Sequence, residues 1–409
     1  MQLNHDRLLD SLRQLAQFGK AGTGVNRLAF SPEDQAARAW LLEQMREAGL
    51  DARIDGIGNV YGRATDVERA VLIGSHTDSV PKGGWLDGAM GVLYGLEIAR
   101  ARHEARSSLA QLGVDVISFA DEEGTYRALA GSLSFCGQLS DTDIEQATNT
   151  DGASLAEVLS HAGYAGQPRL RLDPGRHLAY FEGHIEQGPR LEVENHKIGI
   201  VTTIVGIRRS RLSCLGQADH AGTTPMHLRK DAGAALIALC ARLLERFEQA
   251  RGELSVWNIG HIVFAPGAGN VVPSSAQALV EFRDPRLPVL DRLQGEIDAA
   301  AAELHGRGGV TVEVEHLLGI APADMDASLV DTLEAATRNR VVPAMRMPSG
   351  AGHDAMVLSR HLPSAMLFIP SIGGRSHDTA ENTTEEDICL GADILAHSLE
   401  LLAVQKGLA

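Results

Sequence analysis

No apolar run in the 409 residues reaches the roughly 18 that a bilayer-spanning helix requires, so no membrane span is expected. The opening Met1-Gln2-Leu3-Asn4-His5-Asp6-Arg7 is polar. The apolar residues that follow (Leu8, Leu9, Leu12, Leu15, Phe18) fall at helical spacing and do not form a signal-peptide core. Cysteine is scarce. Cys136, Cys214, Cys240 and Cys389 stand far apart with no CxxC pair, which argues against a disulfide framework and for a reducing, cytoplasmic setting. Positive charge is short as well: 37 Lys and Arg face 53 Asp and Glu, a formal charge of −16. Such an acidic surface disfavours nucleic acid and anionic membranes as partners. No GxSxG elbow is present, which disfavours a serine hydrolase. Gly56-Ile57-Gly58-Asn59-Val60-Tyr61-Gly62 has the wrong glycine spacing for a dinucleotide loop and no helix signal behind it.

What is present is an ordinary globular composition, 44% hydrophobic and 22% charged, in a chain long enough for two domains. The first half alternates helix and strand signals. Ser31-Pro32-Glu33-Asp34 is a helix start, and Gly49 suits its C-cap. Val71 to Gly74 and Val114 to Ala120 read as buried strands, with a helix of small residues from Gly88 to Arg100 between them. This alternation predicts an α/β domain with a mainly parallel sheet. From about residue 209 the pattern changes. Residues 208–215 alternate as a half-buried strand does. A helix follows over 231–249, then strands over 256–264, 276–283 and 310–315, with a helix over 289–305. That predicts an α+β unit with an antiparallel sheet over 209–326, inserted into a domain made of 1–208 and 327–409.

Chemistry-bearing residues gather at the ends of the predicted strands. Ser75-His76-Thr77-Asp78-Ser79 follows the first, and Asp121-Glu122-Glu123-Gly124 follows the second. In α/β proteins the carboxyl ends of strands are where sites form. His76 is a potential metal ligand, with Asp78 placed to orient its ring. Asp87 sits in a glycine-rich turn that can bring it to His76; in isolation it would read as a helix N-cap. Adjacent acids such as Glu122 and Glu123 repel unless cations or protons compensate. One can hold metal while the other serves as general base; alone, the pair is equally a solvated loop. His184, in Gly183-His184-Ile185-Glu186-Gln187-Gly188, and His377, after Gly373-Gly374, are two of sixteen histidines that can complete a site. His76, Asp87, Glu123, His184 and His377 suffice for two divalent ions if one carboxylate bridges. Nitrogen and carboxylate donors suit Zn²⁺ or Mn²⁺, with Co²⁺ and Ni²⁺ also accepted.

Together, Gly74-Ser75-His76-Thr77-Asp78, Asp87-Gly88, Asp121-Glu122-Glu123-Gly124, His184-Ile185-Glu186-Gln187-Gly188-Pro189, His220-Ala221-Gly222-Thr223-Thr224-Pro225-Met226 and Ser376-His377 resemble the amidase branch of the M20 metallopeptidase family, over nearly the whole chain. The resemblance implies His76, bridging Asp87, Glu123, His184 and His377 as ligands and Glu122 as general base. It also implies that the inserted unit is a dimerisation and lid domain. There, His220 would reach the partner subunit's site to stabilise an oxyanion, Asn270 and Arg283 would hold substrate, and Gln187 would lie near the ureido group. Arg286 and the Arg208-Arg209-Arg211 cluster compete with Arg283, which would otherwise be an edge-strand surface arginine. Two residues depart from the branch: Trp85 stands where a smaller or charged residue is common, and Arg375 where a small or apolar one is. His353, in Gly352-His353-Asp354, is read as structural or as supporting the ligands.

The activity implied is hydrolysis of the ureido group of an N-carbamoyl-L-amino acid by a homodimer. Allantoate amidohydrolase and β-ureidopropionase are the near alternatives. A dipeptidase or a non-catalytic metal-binding protein is more remote.

Overall fold

A computed structural model describes residues 1–105, 109 and 111–409. They form two compact units: residues 1–202 with 324–409, and residues 203–323.

The first unit is built on a nine-stranded sheet. Its centre is parallel: Ser364–Ile369 pairs with His177–Ile185, which pairs with Ala70–His76, which pairs with Gly113–Phe119. The flanks turn antiparallel. Val60–Arg63 joins Gly113–Phe119 and Asp51–Ile54 joins Val60–Arg63 on one side, and Ile198–Ile204 joins Ser364–Ile369 on the other. The large sheet is thus mixed at its edges, with the parallel strands expected at its core. Ala70–His76 and Gly113–Phe119 are buried at every position, so both faces of the sheet are covered. That is why they read as unbroken apolar runs and not as alternating ones. Each fully buried Leu, Ile or Val contributes ~1.5–3 kcal/mol.

Pro32–Glu47 starts as its sequence requires, with Ser31 accepting the N–H of Asp34. The helix is capped by Ala48, and Gly49 takes the left-handed conformation just beyond. Ala89–Ala105 is buried from Ala89 through Ala101. Its small residues allow close approach to the sheet: a Cβ on Gly91 would lie 2.4 Å from the carbonyl oxygen of Gly183.

The second unit is a four-stranded antiparallel sheet in the order 256–265, 275–284, 206–215, 311–320. Helices Ala232–Ala250 and Leu287–Leu304 pack on it through Leu236, Leu239, Leu243, Phe247, Leu290, Leu293 and Ile297 against Leu212, Val280 and Phe282. Its last strand, Thr311–Ile320, runs beyond the expected 310–315 because it stays paired with the neighbouring strand as far as Ile207.

Candidate active site

Four parallel strands deliver the predicted residues to one edge. His76 is the last residue of its strand and lies in register with Phe119, so the chain that leaves the neighbouring strand carries Glu122 and Glu123 past it. His184 is the penultimate residue of His177–Ile185. Ile369 ends in register with Ile185, and the Ile372–Gly374 turn beyond it leads to His377.

Local chemistry shapes each connection. Gly88 has φ +64°, and a Cβ there would lie 2.4 Å from the His76 ring, so only glycine lets the Asp87 turn close over that histidine. Asp121 also takes a left-handed conformation, φ 55°. Its carboxylate accepts the N–H groups of Tyr126 (3.1 Å) and Arg127 (2.7 Å), which closes the loop that holds Glu122 and Glu123.

His76, Asp87 and His184 offer ligand atoms within 4.8 Å of one another. So do His76, Glu122 and Glu123, and so do Asp87, Glu123 and His377. Asp87, like His76 and Glu123, belongs to two of these groups, and its two oxygens face different histidines. Its Oδ1 lies 3.0 Å from His184 Nε2 and its Oδ2 3.3 Å from His377 Nε2. The other ring nitrogen of His184 is 2.9 Å from the carbonyl oxygen of Ile185, and that of His76 is 3.0 Å from the carbonyl oxygen of Asp78. Carbonyls only accept, so each Nδ1 carries a proton and each Nε2 is the nitrogen that faces the other candidate ligands. The expected orienter is corrected here. Asp78 holds His76 through its backbone oxygen, while its carboxylate stands 3.8 Å from that ring. Its two oxygens instead accept the N–H groups of Glu122 (3.4 Å) and Glu123 (3.3 Å), because the second strand's exit loop passes directly over it.

The electrostatics call for cations. Burial, then Asp354 and Glu123, raise Glu122 well above the usual carboxylate range. Burial, then Asp87 and Asp78, push Glu123 up to about 10. Burial opposes ionisation of Asp87 too, yet the hydrogen bonds from His184 and His377 hold it well below its ordinary value. Burial disfavours a charged His184, but Asp87 lifts it to about 9. Glu123 Oε1 is buried without a hydrogen-bond partner. A carboxylate cluster with an orphaned oxygen, beside histidines whose Nδ1 groups are held by carbonyls, fits divalent cations, which displace the Nε2 and carboxyl protons.

Gln187 lies in this cluster, its Nε2 donating to both Asp87 oxygens (3.2 and 3.3 Å). Its Oε1 is buried and unpaired. His353 is buried, with its ring 4.5 Å from that of His184 and its Nε2 2.9 Å from Ser349 Oγ. This suits the supporting role expected of it. Trp85 is half-buried in the Asp87 turn, and Arg375 is exposed two residues before His377.

The other three predicted residues belong to the second unit. His220 and Asn270 are exposed neighbours: Ala221 donates to the Asn270 carbonyl (2.9 Å), and His220 bridges to Val271. Arg283 is half-buried, with its Nε and Nη2 donating to Glu281 at 3.0 and 2.8 Å. Its strand is interior, paired on both sides, so the edge-strand reading of Arg283 is corrected. Arg208, Arg209 and Arg211 are engaged by Asp291, Glu281 and Glu315.

Sequence reasoning missed Glu182, which accepts from Ser75 Oγ (2.6 Å), Tyr180 Oη (3.1 Å) and Ala355 N (2.9 Å) beneath His184. Its place two residues before His184, on the same side of the strand, was the available signal. It also missed Glu381, whose carboxylate accepts the N–H groups of Leu86 (3.2 Å) and Asp87 (3.0 Å). No local pattern announces that residue.

Known proteins share this arrangement of chain. The profile of peptidase family M20/M25/M40 matches residues 72–401. The N-carbamoyl-L-amino-acid amidohydrolase of Paenarthrobacter aurescens is 35% identical over 404 residues, with 97% of this chain and 98% of that one covered. The allantoate amidohydrolase of Bacillus subtilis (strain 168) is 32% identical over 406 residues, with 97% of each chain covered. The crystal structure of an amidase of the hydantoinase/carbamoylase family from Burkholderia phymatum matches with a TM-score of 0.93 and 44% identity, covering 100% of this chain and 99% of that one.

Proposed function

The chain belongs to peptidase family M20/M25/M40, and from that premise we propose that it hydrolyses the ureido group of N-carbamoyl-L-amino acids to the amino acid, ammonia and carbon dioxide. The observation that carries the reading is Asp87, whose two oxygens face His184 and His377 separately, with Glu122 in the adjoining group of His76 and Glu123. His76, Asp87, Glu123, His184 and His377 would hold two divalent ions, for which Zn²⁺ or Mn²⁺ fits the donors. When bound, the ions polarise the ureido carbonyl and acidify the attacking water.

The chain's own residues supply the rest. Glu122 takes the proton from water and passes it to the departing nitrogen. Gln187, whose amide nitrogen faces Asp87, keeps Oε1 as an acceptor for a ureido N–H. Arg283 presents a planar fork to the substrate carboxylate. His220 and Asn270 stabilise the oxyanion and orient the ureido group.

These last residues argue for a homodimer in which the second unit serves for pairing and as a lid. Strand Ser275–Asp284 starts beside the loop of Asn270 and His220, while Arg283 is near its far end. Eight residue steps of extended chain span about 26 Å, far longer than an N-carbamoyl amino acid. One substrate touches all three only if two copies contribute, so Asn270 crosses to the partner together with His220. The edge strand Val256–Ala265 exposes Val256, Ile262, Val263 and Phe264, and the adjoining helix exposes Ile237 and Leu244, an apolar face suited to a second copy. Four unpaired thiols suit a reducing cytoplasm.

The test is ammonia release by metal-loaded enzyme from an N-carbamoyl-L-α-amino acid, N-carbamoyl-β-alanine and allantoate. Preference for the first supports the reading. Preference for allantoate moves the chain to the function of its B. subtilis relative, and no release from any of the three overturns ureido hydrolysis.

A further inference from the structure

Glu381 is buried, 1% exposed, four residues after His377, and it faces the turn that carries Asp87. Its Oε1 accepts two backbone N–H groups of that turn, Leu86 at 3.2 Å and Asp87 at 3.0 Å. Its Oε2 accepts the hydroxyl proton of Ser376 at 2.8 Å. The turn is built to admit it: a Cβ on Gly84 would lie 1.8 Å from Glu381 Oε1.

The chain of donors continues to the site. A serine hydroxyl has one proton. With that proton given to Glu381, Ser376 Oγ can only accept from Gln187, whose Nε2 is 3.1 Å away. The same Nε2 donates to Asp87 at 3.2 and 3.3 Å. The order Glu381, Ser376, Gln187, Asp87 therefore fixes which end of the Gln187 amide meets Asp87. Were Ser376 released from Glu381, its proton could turn to Gln187 Oε1. The amide could then flip and set its oxygen against the Asp87 carboxylate.

We infer that Glu381 is a positioning residue that ties the His377 loop to the Asp87 turn and, through Ser376, orients Gln187, so that the Asp87–Glu123–His377 group keeps its metal-binding geometry. This rests on the metal reading of the site and not on the choice of substrate. The expectation is that loss of Glu381 weakens the step of metal binding that needs His377 more than the step served by His76 and His184. Groups that orient metal ligands typically contribute 10–100-fold to affinity.

The experiment is a titration of stripped wild type, Glu381→Ala, Glu381→Asp and Glu381→Gln with Co²⁺ against a competing chelator, following the visible spectrum. Circular dichroism and melting temperature monitor the fold. In Glu381→Asp the carboxylate is one methylene too short to span both loops, and in Glu381→Ala it is gone. Both are expected to lose about 10–100-fold in the binding step that needs His377, with an altered spectrum. Glu381→Gln keeps an acceptor for the two backbone N–H groups but sets an NH2 where Ser376 donates, so it keeps the tie between the loops and loses the relay to Gln187; it is expected to fall between wild type and the Ala and Asp variants. If Glu381→Ala does not fold, Glu381→Asp decides. Wild-type affinity and spectrum in the Asp variant, or equal damage in the Gln and Asp variants, overturns the inference. Wild type that binds no metal overturns the metal reading instead.

Discussion

On the proposed roles, Glu122→Gln and Glu123→Gln separate a proton carrier from a ligand at adjacent positions. Both changes are isosteric, and both leave the backbone N–H groups on the Asp78 carboxylate. Glu123 belongs to two of the ligand groups and has an orphaned Oε1, whereas Glu122 belongs to one and stands 3.6 Å from His76. A glutamine at 122 keeps the shape and hydrogen-bonding reach but accepts no proton. General acid–base catalysis contributes about 10²–10⁴-fold, or roughly 3–5 kcal/mol at 1.36 kcal/mol per decade. The assay is steady-state kcat and KM on the preferred ureido substrate, with metal content measured on the same samples. Glu122→Gln is expected to lose that factor in kcat while KM and metal content stay near wild type. Glu123→Gln is expected to lose metal on dialysis and regain part of its rate in excess metal. A kcat within about tenfold of wild type for Glu122→Gln contradicts the base assignment. Metal loss in that variant like that of Glu123→Gln makes Glu122 a ligand.

Other outcomes follow from the same structure. Mixing Glu122→Gln protein with His220→Ala protein, each inactive alone, is expected to restore about a quarter of wild-type activity through randomly formed heterodimers. No recovery after subunit exchange contradicts action of His220 across subunits. Val263→Lys on the exposed edge strand is expected to shift the protein to monomer in sedimentation velocity and to lower activity with it; an unchanged dimer contradicts pairing through that edge. Asp115 is buried, which opposes its ionisation, yet hydrogen bonds from Arg176, His177 and Tyr61 hold it at about 2, below its ordinary 3.8. A depressed carboxylate stabilises the fold above its unfolded pKa, and this is lost as pH falls through its folded pKa. Between pH 5 and 2, wild type is expected to lose about 2 kcal/mol that Asp115→Asn, already less stable, does not. Parallel acid limbs in urea melts of the two proteins contradict this.

Much of the site was legible because its residues sit at the ends of strands that announce themselves. Val71–Gly74 and Val114–Ala120 are apolar without alternation, as strands covered on both faces must be, and His76 and Glu122-Glu123 follow them directly. The glycine-rich turn that brings Asp87 to His76 was legible for the same local reason. Legibility ends where contacts are long-range. Glu381 meets Asp87 across 294 positions, and nothing around it differs from an ordinary loop acid. The Asp78 carboxylate was assigned to His76 by proximity in sequence, but the loop from the neighbouring strand competes for it and takes it. The buried cluster of Tyr61, Asp115, Arg176 and His177 also went unread, since its members come from three separate segments of the chain. Arg283 could be placed on a strand, but its interior position depends on the order of strands in the sheet, which pairing alone determines.

The most direct test of the account is a metal titration of the stripped wild-type protein, with ureido hydrolysis followed at each addition. A dinuclear centre joined by Asp87 predicts no activity without metal, and full activity only when two ions per chain are bound. Full activity in the stripped protein, or at one ion per chain with no further gain, would contradict it.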